Sequence, residues 1–103
     1  QIETVEAVEN VDEIAAIPGL DVLFVGPADL GLRLGEGGDL DGAIETVAAA
    51  ARKHGKAWAI PGGTPELLTR YRELGAQMLV CGGDFALMKV LEESSQILDE
   101  TVE

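Results

Sequence analysis

The chain alternates short apolar runs with longer stretches in which apolar residues recur every three or four positions. Short apolar runs bounded by turn residues read as strands, and the three-to-four spacing reads as helix. Four such strand–helix units follow one another, the pattern of βα units on a parallel sheet. The first starts in a strand at Gln1-Ile2-Glu3 and turns helical from about Thr4. Asn10 with Glu13 three residues later makes a capping-box-like pair, so the helix is expected to restart there. Val8, Val11, Ile14 and Ala15 give its apolar stripe, and Pro18-Gly19 stops it.

The second unit has the clearest strand, Val22-Leu23-Phe24-Val25, apolar on both faces as a buried parallel strand should be. Gly26-Pro27-Ala28-Asp29-Leu30-Gly31 follows. The glycine-rich loop over residues 35–38 leads to a helix opened by Asp39 or Asp41 and ended by Gly55, with Ile44, Val47, Ala48 and Ala51 at helical spacing. The third strand is Ala57-Trp58-Ala59-Ile60. After the Pro61-Gly62-Gly63 turn, Thr64 is a good N-cap with Pro65 at the first helical position. Leu67, Leu68, Tyr71 and Leu74 make that stripe, and Gly75 closes it. The fourth strand is Met78-Leu79-Val80-Cys81. Gly82-Gly83-Asp84 then opens a last helix striped by Leu87, Met88, Leu91, Leu98 and Val102.

Four consecutive βα units make half of an eight-stranded barrel, whose complete form runs to about 250 residues. The fold class expected is therefore α/β, the C-terminal half of a (β/α)8 barrel, with residues 1–103 as a single partial domain. A small open sheet of the flavodoxin kind is the competing architecture, and periodicity alone does not separate the two. The N-terminus reads as the middle of a strand, so the chain is expected to start inside a longer protein.

Composition narrows the function classes. With 7 basic and 19 acidic residues the formal net charge is −12, which argues against nucleic acid and anionic membranes as partners. One cysteine, Cys81, excludes a disulfide framework or a multi-cysteine zinc site and fits a reducing cytoplasm. It is expected to be a buried apolar residue near a strand end. No apolar run approaches the roughly 20 residues of a membrane span.

In parallel α/β folds, chemistry gathers at the carboxyl ends of the strands. Glu3, Asp29 and the glycine pairs Gly62-Gly63 and Gly82-Gly83 fall there. Glu3 and Asp29 are 26 residues apart, one βα unit, at the mouths of strands that neighbours would hold about 4.8 Å apart. Two carboxylates so placed could share a hard cation such as Mg²⁺, which leaves its other positions to water and substrate oxygens. An Asp after a strand is also a common turn or cap residue. The glycine pairs suit either a phosphate or room for the distal end of a substrate; Asp84 and the lack of a nearby Lys oppose the phosphate.

Gln1-Ile2-Glu3-Thr4, Asn10, Asp12-Glu13-Ile14, Gly19-Leu20-Asp21 and Leu23-Phe24-Val25-Gly26-Pro27-Ala28-Asp29-Leu30, in that order and spacing, resemble the HpcH/HpaI aldolase family. The likeness is dense over residues 1–35 and looser to the end, where Cys81-Gly82-Gly83-Asp84 is similar to the family's last strand and turn. The resemblance implies a class II pyruvate aldolase that joins or cleaves pyruvate and an aldehyde. It implies Glu3 and Asp29 as ligands of Mg²⁺, Mn²⁺ or Co²⁺, Gln1 as a substrate contact, and backbone amides at Ala28 and Asp29 that hold the pyruvate carboxylate. Gly26 would then allow close backbone approach and Pro27 would stiffen the turn. The metal would stabilise the pyruvate enolate.

The family's histidine base, the acidic residue beside it and its arginine come from the other half of the barrel, so this half is expected to hold no catalytic base and to lack full activity alone. His54, at a helix C-terminus beside Lys53, reads as structural or solvated. Arg33 could reach the mouth, without a motif to support it. Trp58 and Tyr71 read as core or helix–barrel contacts. The resemblance further implies homo-oligomers in which the last helix packs on a neighbouring subunit, although its stripe could equally pack on its own barrel. Two rival readings remain: a non-catalytic half-barrel that binds a small anion or a partner, and a citrate-lyase-like enzyme acting on an acyl-CoA.

Overall fold

A computed structural model describes residues 1–102. Three parallel strands form its sheet in chain order: β1 (Val22–Phe24), β2 (Ala57–Pro61) and β3 (Met78–Val80). Leu23 pairs with Trp58, and Ile60 with Leu79. The expected first strand is reduced to one bridge, Ile2 to Val25, on the free side of β1. There Ile2 N–H donates to Phe24 O at 2.7 Å and Gly26 N–H to Ile2 O at 3.0 Å, so the pairing is real but short.

Six helices join the strands: α1 (Val5–Glu9), α2 (Val11–Ala15), α3 (Pro27–Leu34), α4 (Leu40–Lys53), α5 (Pro65–Glu73) and α6 (Asp84–Val102). Their ends follow local chemistry. Thr4 and Thr64 sit in extended backbone and accept from Ala7 N–H and Leu67 N–H, as N-caps do. Asp39, not Asp41, caps α4, with its carboxylate 2.8 Å from Gly42 N. Gly55, at φ +65, follows the last turn of α4 in the left-handed conformation that glycine adopts without cost. The helix restarts at Asn10 as expected, with Asn10 the N-cap of α2, but the capping-box side-chain bond is not made. Asn10 ends α1 in a near-helical conformation, and its amide turns back to donate to Glu6 O at 2.9 Å.

The core lies between the sheet and the helices. Leu23, Val25, Trp58 and Ile60 point from the strands into a layer of α4 residues, Ala43, Ile44, Val47, Ala48 and Ala51. Alanines on that face bring the α4 backbone close to the sheet, and the branched residues fill what remains. Burying an aliphatic side chain fully is worth about 1.5–3 kcal/mol. Trp58 and Tyr71 meet edge to face, with ring centroids 6.5 Å apart. The other sheet face is partly open: Val22 is exposed and Phe24 half-buried. The expectation that Val22–Val25 is buried on both faces therefore holds for only one of them. In a (β/α)8 barrel this open face is the one that lines the interior.

The C-terminal unit differs. Met78, Leu79 and Val80 are all exposed, so β3 is a bare edge. α6 buries no residue, and it stretches the molecule to 60 Å against 27 and 23 Å in the other directions. Its stripe does not pack on its own sheet. Cys81 is exposed, contrary to expectation, because it follows an edge strand whose own residues are exposed. A further element appears where only a turn was read: residues 27–34 are the helix α3.

Candidate functional site

The site is built on the N-terminus of α3, directly after β1. Gly26 is the N-cap, Pro27 the first helical residue, and Ala28 and Asp29 complete the turn. The first bond inside the helix is from Leu30 N–H to Gly26 O at 3.0 Å. Pro27 has no N–H. The amides of Ala28 and Asp29 are thus the free donors of this helix end, and no side chain of the N-cap takes them. Gly26 is buried, whereas Ala28 and Asp29 are exposed.

Glu3 enters from the neighbouring segment. The Ile2–Val25 bridge sets its register, and its side chain lies flat over Gly26. A Cβ added to Gly26 would come within 2.7 Å of both Glu3 Cγ and Oε1. No residue but glycine leaves that space. Gln1 Nε2 donates to Glu3 Oε1 at 2.6 Å, which fixes the carboxylate from the other side. Glu3 and Asp29 therefore belong to one helix end, the first over its N-cap and the second in its first turn. The partial positive charge of that end favours anionic groups.

Two carboxylates suit Mg²⁺ or a similar hard cation, which takes one or two from the protein and the rest from water and substrate. Among the described residues, no cluster of three or more His, Cys, Asp and Glu side chains stands ready to hold a metal. The donor set fits an open, substrate-completed site rather than a closed structural one.

A cleft of about 430 Å³ adjoins this end. It runs from Pro27 past Pro61, Gly62 and Gly63 to Val80, Gly82, Gly83 and the start of α6. The two glycine pairs named from sequence thus share one wall, at the carboxyl ends of β2 and β3. Asp84 is the ionisable residue in it.

Three residues fall elsewhere. His54 caps α4 and places Nε2 3.0 Å from Asp12 Oδ1 on the helix layer. Lys53 reaches the same Asp12 carboxylate at 2.8 Å, and these two bonds hold its carboxyl below the usual carboxylate range. Arg33 lies in the last turn of α3, away from the free amides. What sequence reading did not supply was α3 itself, and with it the reason Ala28 and Asp29 have free amides. The Gly-Pro pair at Gly26-Pro27, a cap followed by Pro at the first helical position, was the available signal.

Two carboxylates and the free amides of a helix start thus stand together on the carboxyl side of parallel βα units, where barrel folds keep their sites. Residues 1–89 match the family described as HpcH/HpaI aldolase/citrate lyase, and the chain belongs to that family. It is 40% identical over 93 residues to a 2-dehydro-3,6-dideoxy-6-sulfogluconate aldolase of Pseudomonas putida, covering 85% of this chain and 36% of that protein. It is likewise 40% identical to a 4-hydroxy-2-oxo-heptane-1,7-dioate aldolase of Klebsiella pneumoniae, again over 85% of this chain and 35% of the other. Among solved structures it resembles an HpcH/HpaI aldolase/citrate lyase family protein of Burkholderia cenocepacia with a TM-score of 0.76 and 37% identity, over 100% of this chain and 41% of that one. The chain spans about a third of the length of the curated relatives it matches. The likeness shows the four units to be part of a (β/α)8 barrel. No helix among the described residues is long and apolar enough to cross a membrane.

Proposed function

We propose that this chain is the metal- and pyruvate-binding half of a barrel that cleaves or forms a 2-oxo acid by aldol chemistry, with pyruvate and an aldehyde as the small partners. The observation that carries the reading is the joint placement of Glu3, Gly26 and Asp29 at the N-terminus of α3. In this reading Glu3 and Asp29 hold Mg²⁺, Mn²⁺ or Co²⁺. When bound, the cation supplies a Lewis acid for charge that develops on the keto oxygen of pyruvate.

The chain's own groups do the positioning. The free amides of Ala28 and Asp29 receive the pyruvate carboxylate, as amides at a helix start suit an anion. Pro27 at the first helical position keeps that turn rigid without adding a donor. Gly26 leaves the space Glu3 needs, and Gln1 holds the Glu3 carboxylate and lies next to the substrate. The cleft beyond Pro27 takes the aldehyde end. No group here is placed as a catalytic base: His54 is bound to Asp12 on the helix layer. The base and the charge-stabilising arginine belong to the rest of a full-length barrel, so residues 1–103 alone are inactive, a partial domain. Homo-oligomers would cover the apolar stripe of α6, and a reducing cytoplasm suits the exposed Cys81 thiol.

In the full-length protein, Asp29→Ala should lower metal-stimulated pyruvate formation by about 100-fold or more, the scale on which losing support for a metal costs activity. Unchanged metal-stimulated turnover in that variant would overturn the assignment.

A further inference from the structure

A second pocket lies at the opposite end of the strands. It has a volume of about 130 Å³ and is walled by Arg52 from the last turn of α4, Lys56 just before β2, Trp58 within β2, and Leu74, Gly75 and Gln77 from the turn between α5 and β3. All of these belong to consecutive elements of this chain.

Trp58 is 2% exposed. A buried indole N–H ordinarily has an acceptor. Among the described residues none accepts from Trp58 Nε1, which stands 4.0 Å from where a Cβ on Gly75 would sit. No side-chain nitrogen or oxygen fully shut off from solvent lacks a partner. The indole N–H must therefore open onto this pocket, the one it lines.

The walls around it hold donors and no carboxylate, in a chain with 19 acidic residues against 7 basic ones. Arg52 uses one long bond, 3.5 Å, to Leu74 O, and Lys56 donates to Ile17 O at 3.2 Å. A guanidinium has five N–H donors, so most of those on Arg52 remain to be used. Neighbouring Lys53 and, on α5, Arg70 are matched with Asp12 and Asp41. Among the described residues, Arg52 and Lys56 have no such carboxylate partner.

An indole N–H that opens onto the pocket with no protein acceptor, on a side chain otherwise buried and beside a guanidinium with spare donors, suits an acceptor-only ligand. We propose that this pocket binds a small tetrahedral oxyanion of phosphate type, on Trp58 Nε1 and the Arg52 guanidinium, with Lys56 adding positive charge at the rim. The anion is either free phosphate or the phosphate of a small ester whose tail stays in solvent. The site lies at the amino ends of the strands, away from the α3 site, and does not depend on the aldolase reading.

The test uses the full-length protein with 5-fluorotryptophan, the Trp58 fluorine resonance being assigned by its loss in Trp58→Phe. Inorganic phosphate is titrated at constant ionic strength. Saturable movement of that resonance is expected, with roughly tenfold weaker binding in Arg52→Gln, a loss of about 1.4 kcal/mol. Arg52→Lys, which keeps the charge and guards against a folding defect, should bind between the two. Glycerol phosphate binding more tightly than phosphate would identify an ester as the ligand, and weaker binding the free ion. A resonance that does not move saturably, or equal affinity in Arg52→Gln, would overturn the proposal.

Discussion

The chain divides at the turn before β3. The buried apolar cluster runs from Ile2 to Ala76, and within it each helix stripe meets a strand or another helix. From Gln77 to Val102 nothing is buried, although Leu87, Met88, Leu91 and Leu98 are spaced as regularly as any stripe upstream. The two regions share sequence grammar and differ in partners. A periodic stripe specifies a helix and the face it wants covered; it does not specify that the cover lies in the same chain.

The largest test of that contrast is a pair of truncations. Ile44→Ala should destabilise the chain by about 2–5 kcal/mol, the usual cost of such a cavity in a packed core. Leu91→Ala should change stability by less than about 0.5 kcal/mol, as exposed substitutions do. Denaturant unfolding of both variants checks this; similar losses would erase the division. Amide exchange should agree, slow in α4 and fast along α6.

Next in size is a substitution within the packed region that acts on chemistry more than on stability. Gly26→Ala puts a methyl within 2.7 Å of Glu3 Cγ and Oε1, so the Glu3 side chain must shift from its place over the helix start. In the full-length protein, metal affinity and pyruvate formation should fall by about 10–100-fold. Retained metal affinity would mean that Glu3 is not a ligand.

Removing a helix cap should matter less. Thr64→Ala deletes the acceptor for Leu67 N–H and should cost about 1 kcal/mol, seen as a lower denaturation midpoint.

Smallest is the pH dependence of the contact between α2 and α4. Lys53 and His54 lower the Asp12 pKa in the folded chain, so this contact adds stability above the ordinary carboxylate value of 3.8 and loses it as pH falls below that value. Asp12 is exposed, so the effect is slight. Acid unfolding of Asp12→Asn should lack that increment.

What the sequence made legible was mostly local. Thr64-Pro65 and Gly55 announce helix ends, and the α4 cap was narrowed to Asp39 or Asp41, because a cap needs only a few neighbouring residues. The parallel βα order and the family were also legible, the latter from the residues around Glu3 and Asp29. α3 was harder: eight residues with Gly31 inside and a glycine cap give weak propensity. Cys81 was misjudged because exposure after β3 depends on which element lies beside that strand, a fact that no local pattern encodes. At Asn10 the helix restart was legible but the missing capping bond was not: α1 runs directly into α2, Asn10 ends the one and caps the next, and its side chain turns back to Glu6 O.

The strand order has a consequence for synthesis. Each pairing joins a strand to the one made just before it: Val25 to Ile2, Ala57 to Val22, Met78 to Ala59. On the ribosome, each strand after the first therefore emerges with the neighbour it pairs back to already made. Assembly can keep pace with elongation one unit at a time.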